Sequence, residues 1–356
     1  MISQQNFGHM ANGQEVIQFS LVNAQGMRVE ILNLGGIIRR WLVPNSSGAP
    51  VDIVLGFDTL ADYLVDQSYL GTVVGRYANR IKHGKFSLQG QQYQVDVNQG
   101  GNCLHGGSDG FHHRVWTATI LNQGDEPSLS FELISEDGDQ GFPGQLRAKV
   151  IYTLSANNTL KIEYFASSDQ TTVYNPTQHS YFNLAGHQSG NINSHNVQIL
   201  ASHFTPTDAN AIPNGELAQV ADTPFDLRKL TPVTKGLGAT DHQQIKYGNG
   251  FDHNWCLDDY QAGLKQPFYA AMAQDTQSGR KLIVNTTMPG IQLYTANYLG
   301  AEPIGKDGVA YQGNGALCFE TQFYPDSPNQ PSFPSATLEK DQQFYSVTEY
   351  QVIVPS

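Results

Sequence analysis

Apolar and polar positions alternate with a period of two along most of the chain, in short runs broken by Gly, Asn and Pro. That period places successive side chains on opposite faces of a strand, so it predicts half-buried β-structure. Residues 16–22, 27–34 and 37–43 read as three strands, separated by Asn23-Ala24-Gln25-Gly26 and Gly35-Gly36 and followed by a turn over 44–48. Residues 84–97 read as a hairpin about a Gln89-Gly90 turn, and 129–136, 146–154 and 159–167 as further strands. One or two helical turns are expected over 59–66 and nothing longer. The segments 98–114, 186–196, 205–250 and 300–315 are rich in Gly, Pro, Asn and Asp and read as long loops, which in a compact fold serve function or wrap the scaffold. Regular short strands of this kind predict an all-β, antiparallel sandwich or barrel, taken as one domain over 1–356.

Two stretches carry polar residues where strand alternation calls for a core. In Tyr174–Gly186, Asn175, Thr177, His179 and Tyr181 fall on one face and Gln178, Ser180 and Phe182 on the other. In Gly315–Phe323, Cys318, Glu320 and Gln322 share one face, with Leu317, Phe319 and Thr321 opposite. A carboxylate among apolar neighbours costs several kcal/mol unless it is paired, protonated or holding a ligand, which marks Glu320 as a candidate acid or base. His179, taken alone, reads first as a hydrogen-bonded core histidine.

Composition narrows the function. With 39% hydrophobic and 15% charged residues the chain is globular and sparsely charged, and a net charge of -12 with no basic run argues against nucleic acid and anionic membrane as partners. A neutral small molecule fits better. The three cysteines, Cys103, Cys256 and Cys318, are widely spaced and form neither a disulfide framework nor a zinc pattern, which favours the reducing cytoplasm. There is no apolar run of membrane-spanning length, no Gly-rich nucleotide loop, no His pair at zinc-ligand spacing and no serine-hydrolase elbow.

Further polar clusters suit a sugar. Asn79 and Arg80 end an apolar run and offer directional donors; His105 precedes Gly106-Gly107, which lets backbone approach a ligand; Asp252 sits among aromatics in Gly250–Trp255. Aromatic faces cover the C–H surface of a sugar while a carboxylate accepts its hydroxyls.

Taken together, Gly75–Ile81, Leu104-His105-Gly106-Gly107, Asn175–Leu184, Gly250–Asn254, Gly290–Asn297 and Phe319-Glu320-Thr321-Gln322 resemble the motifs of the aldose 1-epimerase (galactose mutarotase) family, in that family's order. The resemblance implies a large antiparallel β-sandwich (a galactose mutarotase-like supersandwich) with few short helices, a site in an open cleft, and neither metal nor organic cofactor. It implies Glu320 as general base and His179 as general acid, with Asn79, Arg80, His105, Tyr181, Asp252 and Gln292 binding the sugar. For His179 to donate near neutral pH its pKa must escape strong depression by burial, and Asp252 or Glu320 is expected to support it. A sugar-binding sandwich without turnover, a hexose 6-phosphate epimerase, and a glycosidase using Asp252 and Glu320 are the competing readings; monomer and homodimer are both open.

Overall fold

The computed structural model of the chain describes residues 1–44 and 49–355, so residues 45–48 of the first predicted loop lie outside the described residues. The architecture is all-β. A five-stranded sheet of the N-terminal region runs in sequence order through Ile2–His9, Glu15–Val22, Arg28–Leu32, Ile38–Val43 and Val51–Asp52. A nine-stranded sheet runs Thr117–Asn122, Ser128–Ser135, Leu146–Leu154, Thr159–Ser168, Phe344–Ile353, Lys281–Thr286, Phe268–Asp275, His195–Ile199 and Thr231–Pro232. The C-terminal strand therefore lies at its centre, antiparallel to Thr159–Ser168 on one side and Lys281–Thr286 on the other. A second five-stranded sheet, Ala218–Gln219, His203–Thr205, Asp252–Cys256, Gly290–Tyr294 and Cys318–Gln322, carries much of the candidate site.

The alternation seen in the sequence is what lets these sheets pack as a sandwich. In Leu146–Leu154 the inward residues Leu146, Ala148, Val150, Tyr152 and Leu154 are all buried while their neighbours are not. Leu160, Ile162, Tyr164 and Ala166 are likewise buried on the next strand, and all join one core with Ile31, Trp41, Phe204, Trp255 and Phe319 from the other two sheets. Each fully buried Leu, Ile or Val contributes about 1.5–3 kcal/mol relative to exposure.

Local signals are realised closely. The hairpin pairs Lys85–Leu88 with Gln91–Gln94 around Gln89 and Gly90, whose φ values of 50° and 81° are the paired left-handed residues of a tight two-residue turn. The predicted helical turn is Leu60–Val65, capped by Thr59, whose hydroxyl accepts from the Asp62 amide. Two further helices, Val233–Leu237 and Gln243–Gly248, occupy the segment 205–250 that reads as loop. Glycines hide them: a Cβ on Gly236 would fall on the Phe251 ring, so close packing selects the residue that weakens the helical signal.

The segment 300–315 wraps the scaffold as a loop of its length should. Lys306 is fully buried and donates from Nζ to Asp52 Oδ2, the Arg39 carbonyl and the Val54 carbonyl, each at 2.7 Å. Burial pushes its ammonium down to about 8 against the pull of Asp52. Breaking a buried pair strands the remaining charge, so Asp52→Asn should lower unfolding free energy by about 3–5 kcal/mol. Urea denaturation measures it, and an unchanged midpoint would show that the loop is held by other means.

Candidate active site

Cross-strand register gathers the polar residues in rows on one face of the second five-stranded sheet. Asn254, Gln292 and Glu320 are directly opposite one another on adjacent strands, as are Asp252, Tyr294 and Cys318. The opposite face, with Trp255, Ile291, Leu293 and Phe319, enters the core. The segment after Tyr174 then lies along the edge of this sheet: Phe182 and Leu317 form an antiparallel bridge, and continuing that register one, three and five residues back brings Tyr181 beside Cys318, His179 beside Glu320 and Thr177 beside Gln322. Only Thr177–Gln178 is a regular strand, paired with Val73–Val74. The predicted facing nevertheless holds, because the chain stays extended.

Asn175 and Asn183 fix that segment and stay clear of the cavity. Asn175 accepts from the Phe323 amide at 2.8 Å and donates to the Ala78 carbonyl, while Asn183 donates to the Gly315 carbonyl. The loop bearing Asn79 and Arg80 is pinned by its own neighbours. Arg76, 2% exposed, donates to the Ser135, Glu136 and Pro143 carbonyls, and the Tyr77 hydroxyl donates to the Tyr324 carbonyl.

These elements enclose a cavity of about 300 Å³ lined by Asn79, Arg80, His105, His179, Tyr181, Asp252 and Glu320. Seven of the eight residues singled out from sequence thus converge there. The eighth, Gln292, is one layer deeper: it is buried and donates from Nε2 to Asp252 Oδ1 at 2.7 Å, so it positions a carboxylate rather than lining the cavity. The other Asp252 oxygen lies 3.7 Å from Arg80 Nη1. His179 Nε2 is 3.6 Å from Glu320 Oε1, and its ring stacks on Tyr181 with centroids 5.0 Å apart. The Tyr181 hydroxyl is turned away, donating to the Ser68 carbonyl at 2.7 Å, which leaves its ring as the wall.

Sequence reasoning missed Tyr69, Gln99, Tyr294 and Tyr298, all of which line the cavity. Tyr294 was within reach, since alternation puts it on the face of Gln292. Tyr69, which packs 4.6 Å from the His105 ring, and Gln99, which accepts from Arg80 Nε, come from loops without a period to read.

His105, His179 and Glu320 each bring one donor atom within 4.8 Å of the others, a spacing a cation would accept. The tautomer of His105 argues otherwise. Its Nδ1 accepts from the Asn79 amide at 3.2 Å, so in the neutral ring Nε2 carries the proton and is a hydrogen-bond donor, suited to a sugar oxygen rather than a metal.

Burial dominates the electrostatics. It drives Glu320 well above the usual carboxylate range, reinforced by Asp252 and opposed by Arg80. It lowers His179 to about 4 despite the charge on Asp252. The expectation that neighbouring carboxylates would keep His179 near its ordinary value is therefore corrected: desolvation of a side chain 4% exposed outweighs them. Both shifts act in the same sense, favouring a neutral imidazole and a protonated carboxyl over the ion pair.

A family model described as aldose 1-epimerase matches residues 18–351. The chain is 42% identical over 348 residues to the galactose mutarotase of Bos taurus, spanning 98% of this chain and 97% of the relative. It is 37% identical over 345 residues to the aldose 1-epimerase of Escherichia coli K12, spanning 96% of each. Among solved structures, galactose 1-epimerase from Lactobacillus acidophilus superposes with a TM-score of 0.86 at 27% identity, covering 100% of this chain and 99% of that one. An aldose epimerase homologue from C. elegans gives 0.83 at 29% identity, covering 95% and 98%.

The buried histidines also set a pH response. His179, His195 and His253 fall to about 4 and His112 to about 3, and His105 lies well below 6.5, all through burial. Between pH 6.5 and about 4 the unfolded chain binds more protons than the folded one, so each such histidine contributes stability that is lost as pH falls. Each costs up to about 1.4 kcal/mol per pH unit in that window. The raised carboxyls of Glu320, Asp66 and Asp326 act in the opposite sense, three groups against six histidines once the lowered His187 is included. The urea midpoint should therefore fall steeply from pH 6.5 to 4, and a flat profile would contradict the buried neutral rings.

Proposed function

The chain belongs to the aldose 1-epimerase family and is an isomerase that interconverts sugar anomers, and from that premise we propose that its substrates are free hexoses such as galactose and glucose, with Glu320 as base and His179 as acid. The observation that carries this reading is the 3.6 Å approach of His179 Nε2 to Glu320 Oε1 at the cavity wall. Opening a cyclic hemiacetal removes a proton from the C1 hydroxyl and delivers one to the ring oxygen. Both oxygens are bonded to C1, so a base and an acid must stand side by side.

Glu320 as carboxylate takes the C1 hydroxyl proton while His179 as imidazolium protonates the ring oxygen, and the C1–O5 bond breaks. The aldehyde turns about C1–C2, and reclosure on its other face reverses both transfers. Ring opening thus converts ionised Glu320 with protonated His179 into protonated Glu320 with neutral His179, the proton count of the pair unchanged. The pair titrates as a unit, and activity belongs to its singly protonated form. Burial favours the neutral arrangement in the empty site; sugar hydroxyls that hydrogen-bond to the ionised one offset that preference. Each positioned acid or base is worth about 10²–10⁴ in rate.

Asp252, braced by Gln292 and Arg80, faces the cavity as an acceptor of sugar hydroxyls, and Tyr181 and Tyr69 present ring surface. Arg80 is the one Lys or Arg among the described residues lining the cavity, and it is engaged with Asp252 and Gln99. That favours a free sugar over a hexose 6-phosphate.

Polarimetry of freshly dissolved α-galactose and α-glucose tests the activity, with glucose 6-phosphate as the comparison; a faster rate on the phosphate would reverse the preference. Glu320→Gln and His179→Asn should each reduce turnover at least about a hundredfold in a folded protein, and near-normal rates would remove that residue from the mechanism. Asp252→Asn should raise KM more than it lowers kcat, and an unchanged KM would deny it a place in substrate binding.

A further inference from the structure

Behind the acid–base pair, on the same face of the sheet, lies a second group of polar side chains that the reaction as described does not use. Asn254 is 1% exposed, and Gln322 and Thr177 are fully buried. Neither amide atom of Asn254, neither amide atom of Gln322, nor the Thr177 hydroxyl has a hydrogen-bond partner among the described residues. Gln292 Oε1 and Glu320 Oε2 are buried and unpartnered in the same way. The register gathers them: Gln292 stands between Asn254 and Glu320 across the sheet, Gln322 is two residues along from Glu320, and Thr177 falls beside Gln322. Directly opposite Gln322 is Gly290, where a Cβ would collide with Asn254 Oδ1 and the Tyr324 ring. The bare position is what lets the Asn254 amide lie over the sheet toward Gln322.

Leaving a buried polar atom unsatisfied costs about 1–3 kcal/mol. Seven such atoms on five neighbouring residues would together rival the net stability of a whole domain. A bound small molecule that met them would remove that penalty. The set includes amide donors, amide acceptors, a hydroxyl and a carboxylate oxygen, so an anion would face acceptors and a cation would leave the amide nitrogens unmet. A small neutral molecule that donates and accepts satisfies all of them, and water is that molecule.

We propose that Asn254, Gln322 and Thr177 hold ordered water against Glu320 Oε2, and that through this water they act as positioning residues which stabilise the carboxylate form of the base. The inference rests on the roles given above to Glu320 and His179. One Glu320 oxygen faces His179 and the sugar; the other faces this water. A donor on the second oxygen opposes the desolvation that keeps the base protonated and raises the population of the reactive ionised arrangement. The other charged or titratable groups facing Glu320 are Asp252 and Arg80 across the cavity, His105 with a ring nitrogen within 4.8 Å, His179 and Tyr181 on the edge segment, Cys318 on its own strand and Tyr350 beneath. None of them donates to Oε2.

Gln322→Met keeps the length of the side chain and removes both polar atoms. The base then loses its donor, so its pKa rises and the ionised arrangement becomes rarer. The expected result is a kcat lower by about tenfold, with the alkaline limb of the pH–rate profile moved up by about one unit and KM within about twofold of the parent. Wild-type kcat and an unmoved limb would overturn the proposal. So would a loss of kcat with the limb unmoved, since damaged packing lowers rate without retitrating the base. Should Gln322→Met fail to fold, Thr177→Val is read by the same criteria, with a smaller shift in the same direction. A crystal structure of the unliganded protein supplies the direct check: water on Glu320 Oε2 shared with Gln322 or Asn254 is required, and its absence from the map overturns the idea. Glu320→Gln separates the two readings. If that variant stays active the acid–base assignment falls; if it is dead while Gln322→Met titrates like the parent, only the water site falls.

Discussion

Desolvation of one carboxylate and one imidazole on the face of a sheet is the constraint on which the site depends. Glu320 and His179 are almost wholly removed from water and lie 3.6 Å apart, near enough to share a proton through a substrate yet outside hydrogen-bond range of each other. A tight ion pair would hold the ionised arrangement too firmly to react. Two well-solvated groups would have neither the altered pKa values nor the fixed orientation. Burial without direct contact favours the neutral arrangement of Glu320 and His179 in the empty site, and leaves hydrogen bonds from a bound sugar to draw out the ionised one.

Such a pair needs a rigid support, and the support is polar as much as apolar. The apolar core fixes the sheets, but the loops that complete the cavity are held by buried hydrogen bonds. Arg76 ties the Asn79–Arg80 loop to carbonyls around Ser135, and Asn175 and Asn183 tie the His179 segment to the edge strand. Lys306 ties the loop following Tyr298 to the first sheet. Each group is expensive to bury unpaired, so each loop has one position in which its anchor is satisfied. Specificity of loop placement follows from that penalty. Asp252 is placed in the same way, by Gln292 beneath it and Arg80 beside it.

Much of this was legible in the chain. Period-two alternation correctly paired Thr177 with His179 and Tyr181 on one face, and Cys318 with Glu320 and Gln322 on another, because the side to which a strand residue points is a local property of extended backbone. The Gln89-Gly90 turn was legible for the same reason, left-handed φ values being decided within two residues. Recurrent motifs located seven cavity residues although they lie up to 241 positions apart, from Asn79 to Glu320.

Depth was not legible. Nothing near Gln292 distinguishes a residue that touches the cavity from one that braces Asp252 beneath it, since both lie on the same face of the same strand. The two short helices were masked by glycines that distant side chains require. The protonation of His179 was misjudged because desolvation is a property of everything packed around the ring, including Tyr69 and Tyr181. The sequence by itself determined the all-β class, the faces of the strands and most of the residues that line the cavity. Tertiary structure alone decided which groups water can reach, and hence the direction in which burial shifts Glu320 and His179, because solvent exclusion is the summed effect of contacts made by segments remote in the chain.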